Sequence, residues 1–175
     1  MTYSVGGVQK DSLVLSPAHR ETRRLAKLFK HLETCDLLAK RYSTCAKRQY
    51  YAIIVRPDGS FAAQGYNGAA KGQPHCEELP CPRLVEDSAA GSNYDNCIAI
   101  HAEQNALLHS ADCVRGCAMI INGPPCMTCA KLIVQAGIKE LVCWEDLTYK
   151  QWPSIRDYLK ASGIELYAFK VPDEV

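Results

Sequence analysis

Two short clusters hold the residue types that can do hydrolytic chemistry: His101-Ala102-Glu103 and Pro125-Cys126-Met127-Thr128-Cys129. Each stands at the start of a segment expected to be helical, where backbone N–H groups and the helix dipole favour negative charge, thiolate included. A Cys-x-x-Cys at such a start puts two thiolates at one point, and one imidazole makes a third ligand. Tetrahedral Zn2+ then keeps a fourth place for water, the arrangement of a catalytic rather than a structural zinc. Zinc lowers the pKa of that water to about 7. Glu103 lies two residues from His101, close enough to take the water's proton without ligating the metal. Taken singly, Cys-x-x-Cys could be a redox pair or half of a zinc finger, and His-x-Glu means little. Their joint occurrence, each after sheet-like sequence, points to catalysis.

Eight further cysteines need an account. From Asn67 to Asn96 the chain turns to Gly, Pro, Asn, Cys and His without a sustained period, and long unstructured loops are uncommon inside a compact domain. Cys45, Cys76, Cys81 and Cys97 could clip this stretch as a closed structural zinc site, with His75 as an alternative to one sulfur. Buried thiols are the plainer alternative. Cys35, Cys113, Cys117 and Cys143 lie in apolar sequence and read as core. A cysteine-rich chain of this size, with no export signal at its start, is expected in a reducing compartment, the cytoplasm.

The elements that must position these groups follow from periodicity. Residues 1–15 read as a flexible arm. Ser16-Pro17 marks a helix entry, with Leu25, Leu28, Phe29, Leu32 and Cys35 on one face and Leu38 and Ala39 extending it. The stretch from Arg20 to Arg48 is basic, which fits a solvated face as well as one turned to phosphate or to another subunit. Tyr50 to Arg56 and Phe61 to Tyr66 form a hairpin across Pro57-Asp58-Gly59. Helices are expected over Ile98 to Ala111, Met127 to Ala136 and Ser154 to Ala161. Strands are expected over Ala118 to Asn122, Ile138 to Trp144 and Ile164 to Phe169. This alternation predicts an α/β fold of three layers, α/β/α: a mixed five-stranded sheet with helices on both faces.

The chain has 175 residues, a formal net charge of +1 and 47% hydrophobic residues. It is read as one domain over residues 1–175, with 67–97 as a cysteine-rich insertion, and it can bury a core without disulfides. Balanced charge argues against a long nucleic acid as partner. With no run of 18 apolar residues, no membrane span is expected.

Residues from about Ser43 to Phe169 resemble the cytidine deaminase superfamily, most closely its deoxycytidylate (dCMP) deaminase family. His-x-Glu with Pro-Cys-x-x-Cys is the signature of the zinc deaminases. The family itself is indicated by Ser43-Thr44-Cys45-Ala46-Lys47-Arg48, by Gly65-Tyr66-Asn67-Gly68, and by His75-Cys76 with Cys81 and Cys97. The resemblance implies hydrolysis of dCMP to dUMP and ammonia, supplying dUMP for thymidylate synthesis. His101, Cys126 and Cys129 would hold the catalytic zinc, Glu103 would move protons to N3 and to the leaving amine, and a second zinc would be structural. Asn67 would bond the sugar, the backbone near Ala102 and Pro124 would meet the base edges, and Tyr149 is the candidate for stacking on the base. Arg48 or Lys47 could meet the 5′-phosphate. Gly65, Tyr66, Asn67 and Gly68 would belong to an effector site for dCTP or dTTP with Mg2+. The expected assembly is a homo-oligomer, such as a hexamer. The chain departs from the family at Tyr50-Tyr51, where Val-Gly is usual, and at Asp112, near a usual Arg. The first departure directs attention to other cytosine compounds as substrates: a modified nucleotide, a nucleoside or a base. A zinc-stabilised binding protein without activity is the alternative of another class.

Overall fold

The computed structural model describes residues 16–89, 92 and 94–171. The arm expected over 1–15 lies outside the described residues. Ser16 caps the first helix, α1 (Pro17–Tyr42), its hydroxyl accepting from the His19 amide at 3.3 Å. Leu28, Leu32, Cys35 and Ala39 recur at helical spacing and are buried on one side of a sheet. That sheet begins as a hairpin, β1 (Tyr51–Val55) and β2 (Phe61–Tyr66), turning at Gly59 with φ +86°. It continues with β5 (Ala118–Ile121), β6 (Glu140–Trp144) and β7 (Glu165–Phe169).

The strand order is β2-β1-β5-β6-β7. β1 runs antiparallel to both of its neighbours, while β5, β6 and β7 are parallel. The parallel crossovers are α4 (Met127–Gln135) and α5 (Trp152–Ala161). Together with α3 (Ala102–Leu108), they cover the face opposite α1. Residues in a strand alternate sides, so Tyr51, Ile53 and Val55 pack toward α1 while Ala52 and Ile54 pack toward α3, α4 and α5. The indole of Trp144 donates to Asp36 of α1 at 2.6 Å, tying the first layer to the sheet. This is the three-layer fold expected from the alternation.

Three details differ from expectation. The segment from Ile98 to Ala111 is not one helix. Ala99–Ile100 is a short strand, β4, paired antiparallel with β3 (Gly68–Ala69), and the helix begins only at Ala102. A β-branched residue opposite Gly68 keeps the chain extended up to His101, whose own ψ is 154°. The cysteine-rich stretch also contains one helical turn, α2 (Pro82–Val85), started by a proline at its first position. Finally, Cys113 is exposed rather than core, because it lies in the loop before β5, whereas Cys35, Cys117 and Cys143 are buried.

Candidate active site

Both chemical clusters are helix starts that converge at the carboxyl end of β5. His101 precedes α3, and its amide donates to the Gln104 side chain at 2.9 Å, which fixes the first turn. Cys126 caps α4, its sulfur accepting from the Cys129 amide at 3.5 Å. Gly65 of β2 sets how closely α3 approaches the sheet. A Cβ there would lie 2.4 Å from the Ala106 nitrogen and 2.7 Å from the Ala102 oxygen, so only glycine fits.

The His101 Nδ1 atom lies 3.6 Å from Cys126 Sγ and 3.4 Å from Cys129 Sγ. Zn–S bonds of about 2.3 Å and Zn–N bonds of about 2.0–2.1 Å at a tetrahedral angle require N–S separations near 3.6 Å. The donor set therefore fits zinc in both chemistry and size. Among the described residues it is the one group of three His, Cys, Asp or Glu ligand atoms lying within 4.8 Å of one another.

The electrostatics are those of a site ready to exchange protons for a cation. Burial disfavours the charged imidazolium of His101, but hydrogen bonds to Cys126 and Cys97 and the nearby Glu103 carboxylate raise its pKa to about 10. The Cys129 hydrogen bond, against the effect of burial, holds the Cys126 thiol well below the usual thiol range, and His101 adds to this. Glu103 is 3% exposed. Burial pushes its carboxyl up to about 7 despite the opposing charge of His101. A carboxyl beside three metal-binding atoms, and not one of them, can hold and release protons near neutral pH.

A cavity of about 680 Å3, including its open mouth, leads to this cluster. Pro124, Tyr149, Asn67 and Arg48 line it, as does Lys47, while Ala102 lies behind in the core. The Asn67 side chain is already engaged: its oxygen accepts from Ser43 Oγ at 2.5 Å and from the Tyr50 amide at 2.7 Å, and its nitrogen donates to the Arg48 carbonyl at 2.6 Å. Arg48 pairs with Asp146 at 3.3 Å, and Lys47 donates to the carbonyls of Ser88 and Arg83.

Of the two tyrosines at the family's Val-Gly position, Tyr50 alone enters the cavity. Its ring lies against Gly123, where a Cβ would come within 2.4 Å of Cε1, and it shares the cavity wall with Arg48. Tyr51 faces the α1 side and donates to Gln64 at 2.9 Å.

Sequence reasoning missed Arg83, Tyr94 and Asp146, which also line the cavity. The guanidinium of Arg83 sits 4.6 Å from the centre of the Tyr94 ring, and that ring meets His101 edge-on at 5.1 Å. No periodicity marks these residues; the only local signal was the helix-starting proline before Arg83.

The four cysteines expected at a second zinc are neighbours without forming a compact ligand group. Burial first, then the thiols of Cys45, Cys81 and Cys97, push the Cys76 thiol up to about 11. Cys97 lines the cavity with Cys45, and interaction with His101 lowers its thiol pKa. His75 bonds Thr44 at 2.8 Å. Gly65 and Tyr66 line a separate cleft with His75 and Lys71, and Asp112 is not among its lining residues, being paired with Arg56 at 2.8 Å.

The family model for the cytidine and deoxycytidylate deaminase zinc-binding region matches residues 26–145. The chain belongs to this deaminase family. A deoxycytidylate deaminase of Schizosaccharomyces pombe is 36% identical over 144 residues, covering 81% of this chain and 44% of that protein. One from Mycobacterium phage D29 is 34% identical over 110 residues, covering 59% of this chain and 84% of the relative. Among solved structures, the dCMP deaminase of cyanophage S-TIM5 in complex with dCMP and dUMP has a TM-score of 0.63 and 28% identity, covering 89% of this chain and 100% of that one. The chain spans less than half the length of the two fungal relatives, 44% of the Schizosaccharomyces pombe protein and 43% of the Saccharomyces cerevisiae one.

Proposed function

We propose that the protein is a zinc-dependent hydrolase that converts dCMP and water to dUMP and ammonia. The observation that carries this reading is the buried Glu103 carboxyl beside a His-Cys-Cys group of zinc dimensions, at the foot of an open cavity. A structural zinc has no use for such a carboxyl. The dCMP deaminases among the relatives support the choice of substrate. Zinc bound by His101, Cys126 and Cys129 supplies a Lewis acid that activates water. Glu103 takes a proton from the attacking water, passes it to N3 of the ring, and assists departure of the 4-amino group as ammonia. The new bond is C4–O and the broken one is C4–N. In this reading Tyr50, Tyr149 and Pro124 are the walls that hold the base.

Asn67 is the sugar contact in this reading, Tyr149 the stacking ring, and the backbone at Ala102 and Pro124 the base-edge contact. A second, structural zinc on Cys45, Cys76, Cys81 and Cys97, or with His75 replacing one sulfur, rests on the proximity of the other thiols to Cys76. Counting zinc per chain distinguishes one ion from two. The effector reading of Gly65, Tyr66, Asn67 and Gly68 draws on the cleft beside Gly65 and Tyr66, and dCTP or dTTP with Mg2+ is the pair of probes. Exposed Leu37, Tyr42 and Leu108 suit a homo-oligomer such as a hexamer, read by light scattering. Ten free thiols suit the cytoplasm, and among the described residues no helix is long and apolar enough to cross a membrane. The deciding experiment is a turnover screen of the zinc-loaded protein with dCMP, CMP, dCTP, deoxycytidine, cytosine and a 5-substituted dCMP. Preference for dCMP supports the reading. Turnover of another compound alone keeps the zinc chemistry and moves the substrate.

A further inference from the structure

Another cavity opens at the end of the sheet away from the metal group. Ala118 and Glu140, the first residues of β5 and β6, line it, whereas His101, Cys126 and Cys129 gather beyond the carboxyl end of β5. It measures about 720 Å3, including its open mouth. Arg24, Lys27 and His31 reach it from α1, Arg56 from the hairpin turn, and Lys139 from just before β6. Four cations thus line one space, and Glu140 is the one acidic side chain among the described residues lining it.

The partners of these cations are of two kinds. Arg24 pairs with Glu140, whose side chain is 13% exposed, and that pair is a fixed part of the wall. The other carboxylates stand outward. Asp112, paired with Arg56 at 2.8 Å, has a side chain 68% exposed, and Glu165, paired with Lys139 at 3.3 Å, one 49% exposed. Exposed pairs of this kind are worth at most about 1 kcal/mol, so an entering anion displaces them at small cost. Lys27 has no carboxylate partner among the described residues; its amine reaches the Gly59 carbonyl at 3.4 Å. A Cβ at Gly59 would lie 2.5 Å from that amine, so the turn glycine keeps its place open. His31 completes the wall, its Nε2 buried without a hydrogen-bond partner and its ring edge-on to Phe61 at 5.1 Å. Like charges gathered this way repel one another, and a multivalent anion between them turns the repulsion into attraction.

We infer that this cavity is a second ligand site, separate from the metal cavity, and that it takes a small anion carrying two linked phosphates. The cations come from three separate elements, and a diphosphate, with its charge on two centres, matches that spread better than a single phosphate does. The inference does not depend on the deaminase reading above.

The test is calorimetry of the zinc-loaded full chain with pyrophosphate, zinc content being measured before and after. The wild type is expected to bind pyrophosphate, more weakly as KCl is raised. Lys27→Gln and Lys139→Gln should each weaken binding about fivefold or more, the worth of one charge-assisted hydrogen bond. Arg48→Gln, in the metal cavity, and Lys71→Gln, in the cleft beside Gly65, should leave it within about twofold. ADP presents the same two phosphates on a nucleoside: weaker binding than pyrophosphate assigns the site to the free anion, and equal or tighter binding assigns it to a nucleoside diphosphate. Melting gives a second reading. Pyrophosphate should raise the melting temperature of the wild type and have little effect on the Lys27→Gln/Lys139→Gln double variant. The inference is overturned if the wild type does not bind pyrophosphate, or if neither Lys27→Gln nor Lys139→Gln weakens it. It is equally overturned if Arg48→Gln or Lys71→Gln abolishes binding, which would place the anion in one of the other two cavities, or if pyrophosphate stabilises the double variant as much as the wild type.

Discussion

Glu103 and Cys126 do different work within one cluster, and each can be tested alone. Glu103→Gln keeps the shape and removes the ionisable group. Turnover should fall by about 10²–10⁴-fold, the usual contribution of a positioned proton carrier, with zinc content unchanged by elemental analysis. Loss of zinc in parallel would mean that the carboxyl serves the metal site rather than the proton. Cys126 reports the electrostatics directly. Its thiol is held low by the Cys129 hydrogen bond and by His101. A depressed pKa means thiolate at every pH above it. In metal-free protein, alkylation of Cys126 should therefore stay nearly flat from pH 8 to pH 6, where an ordinary thiol slows about tenfold per pH unit. Zinc should block the reaction. Mass spectrometry of the labelled peptide reads both effects, and an ordinary thiol profile would count against the electrostatics described.

At the scale of elements, the site depends on α3 lying close to the hairpin. Gly65→Ala would drive a methyl group into the backbone of Ala102 and Ala106. It should destabilise the fold by about 1–3 kcal/mol and, because α3 carries Glu103 and follows His101, lower zinc affinity as well. Denaturant unfolding and a zinc competition assay measure the two effects. The two chemical clusters were legible in the sequence because the chemistry of each is local: His101 and Glu103 are two residues apart, and Cys126 and Cys129 one helical turn apart. The course of the insertion was not legible. Its path is set by contacts such as Arg83 to the Ser92 carbonyl and Lys47 to the end of α2, which leave no period in the residues. The boundary at His101 was missed for a related reason, since the pairing of Ala99–Ile100 with Gly68–Ala69 joins distant segments.

For the whole molecule, the layered architecture followed from the alternation of strands and helices, and the core bears it out on both faces of the sheet. The metal group joins α3, α4 and the end of β5, so ion binding is linked to folding. A chelator should abolish turnover and lower the melting temperature, and zinc should restore both. At a free metal concentration 1,000 times Kd the linkage is worth about 4 kcal/mol. The effect should shrink as pH falls, because protons then compete for His101 and the two sulfurs. A melting temperature indifferent to chelator would show that the fold closes without the ion.

The junction where Tyr50 leads into β1 carries one more consequence, for anyone who would redesign this protein. Tyr50 and Tyr51 are adjacent in the chain and answer to unrelated demands, one to whatever enters the cavity and the other to the layer beneath α1. Replacing Tyr50 with Val should reorder the ranking of cytosine compounds, at some cost in stability because its ring also rests on the core. Replacing Tyr51 with Val should cost about 2 kcal/mol of stability and leave that ranking alone. Selectivity then sits at position 50 and the packing beneath α1 at position 51, so a library confined to position 50 could search for new substrates and leave the α1 layer untouched.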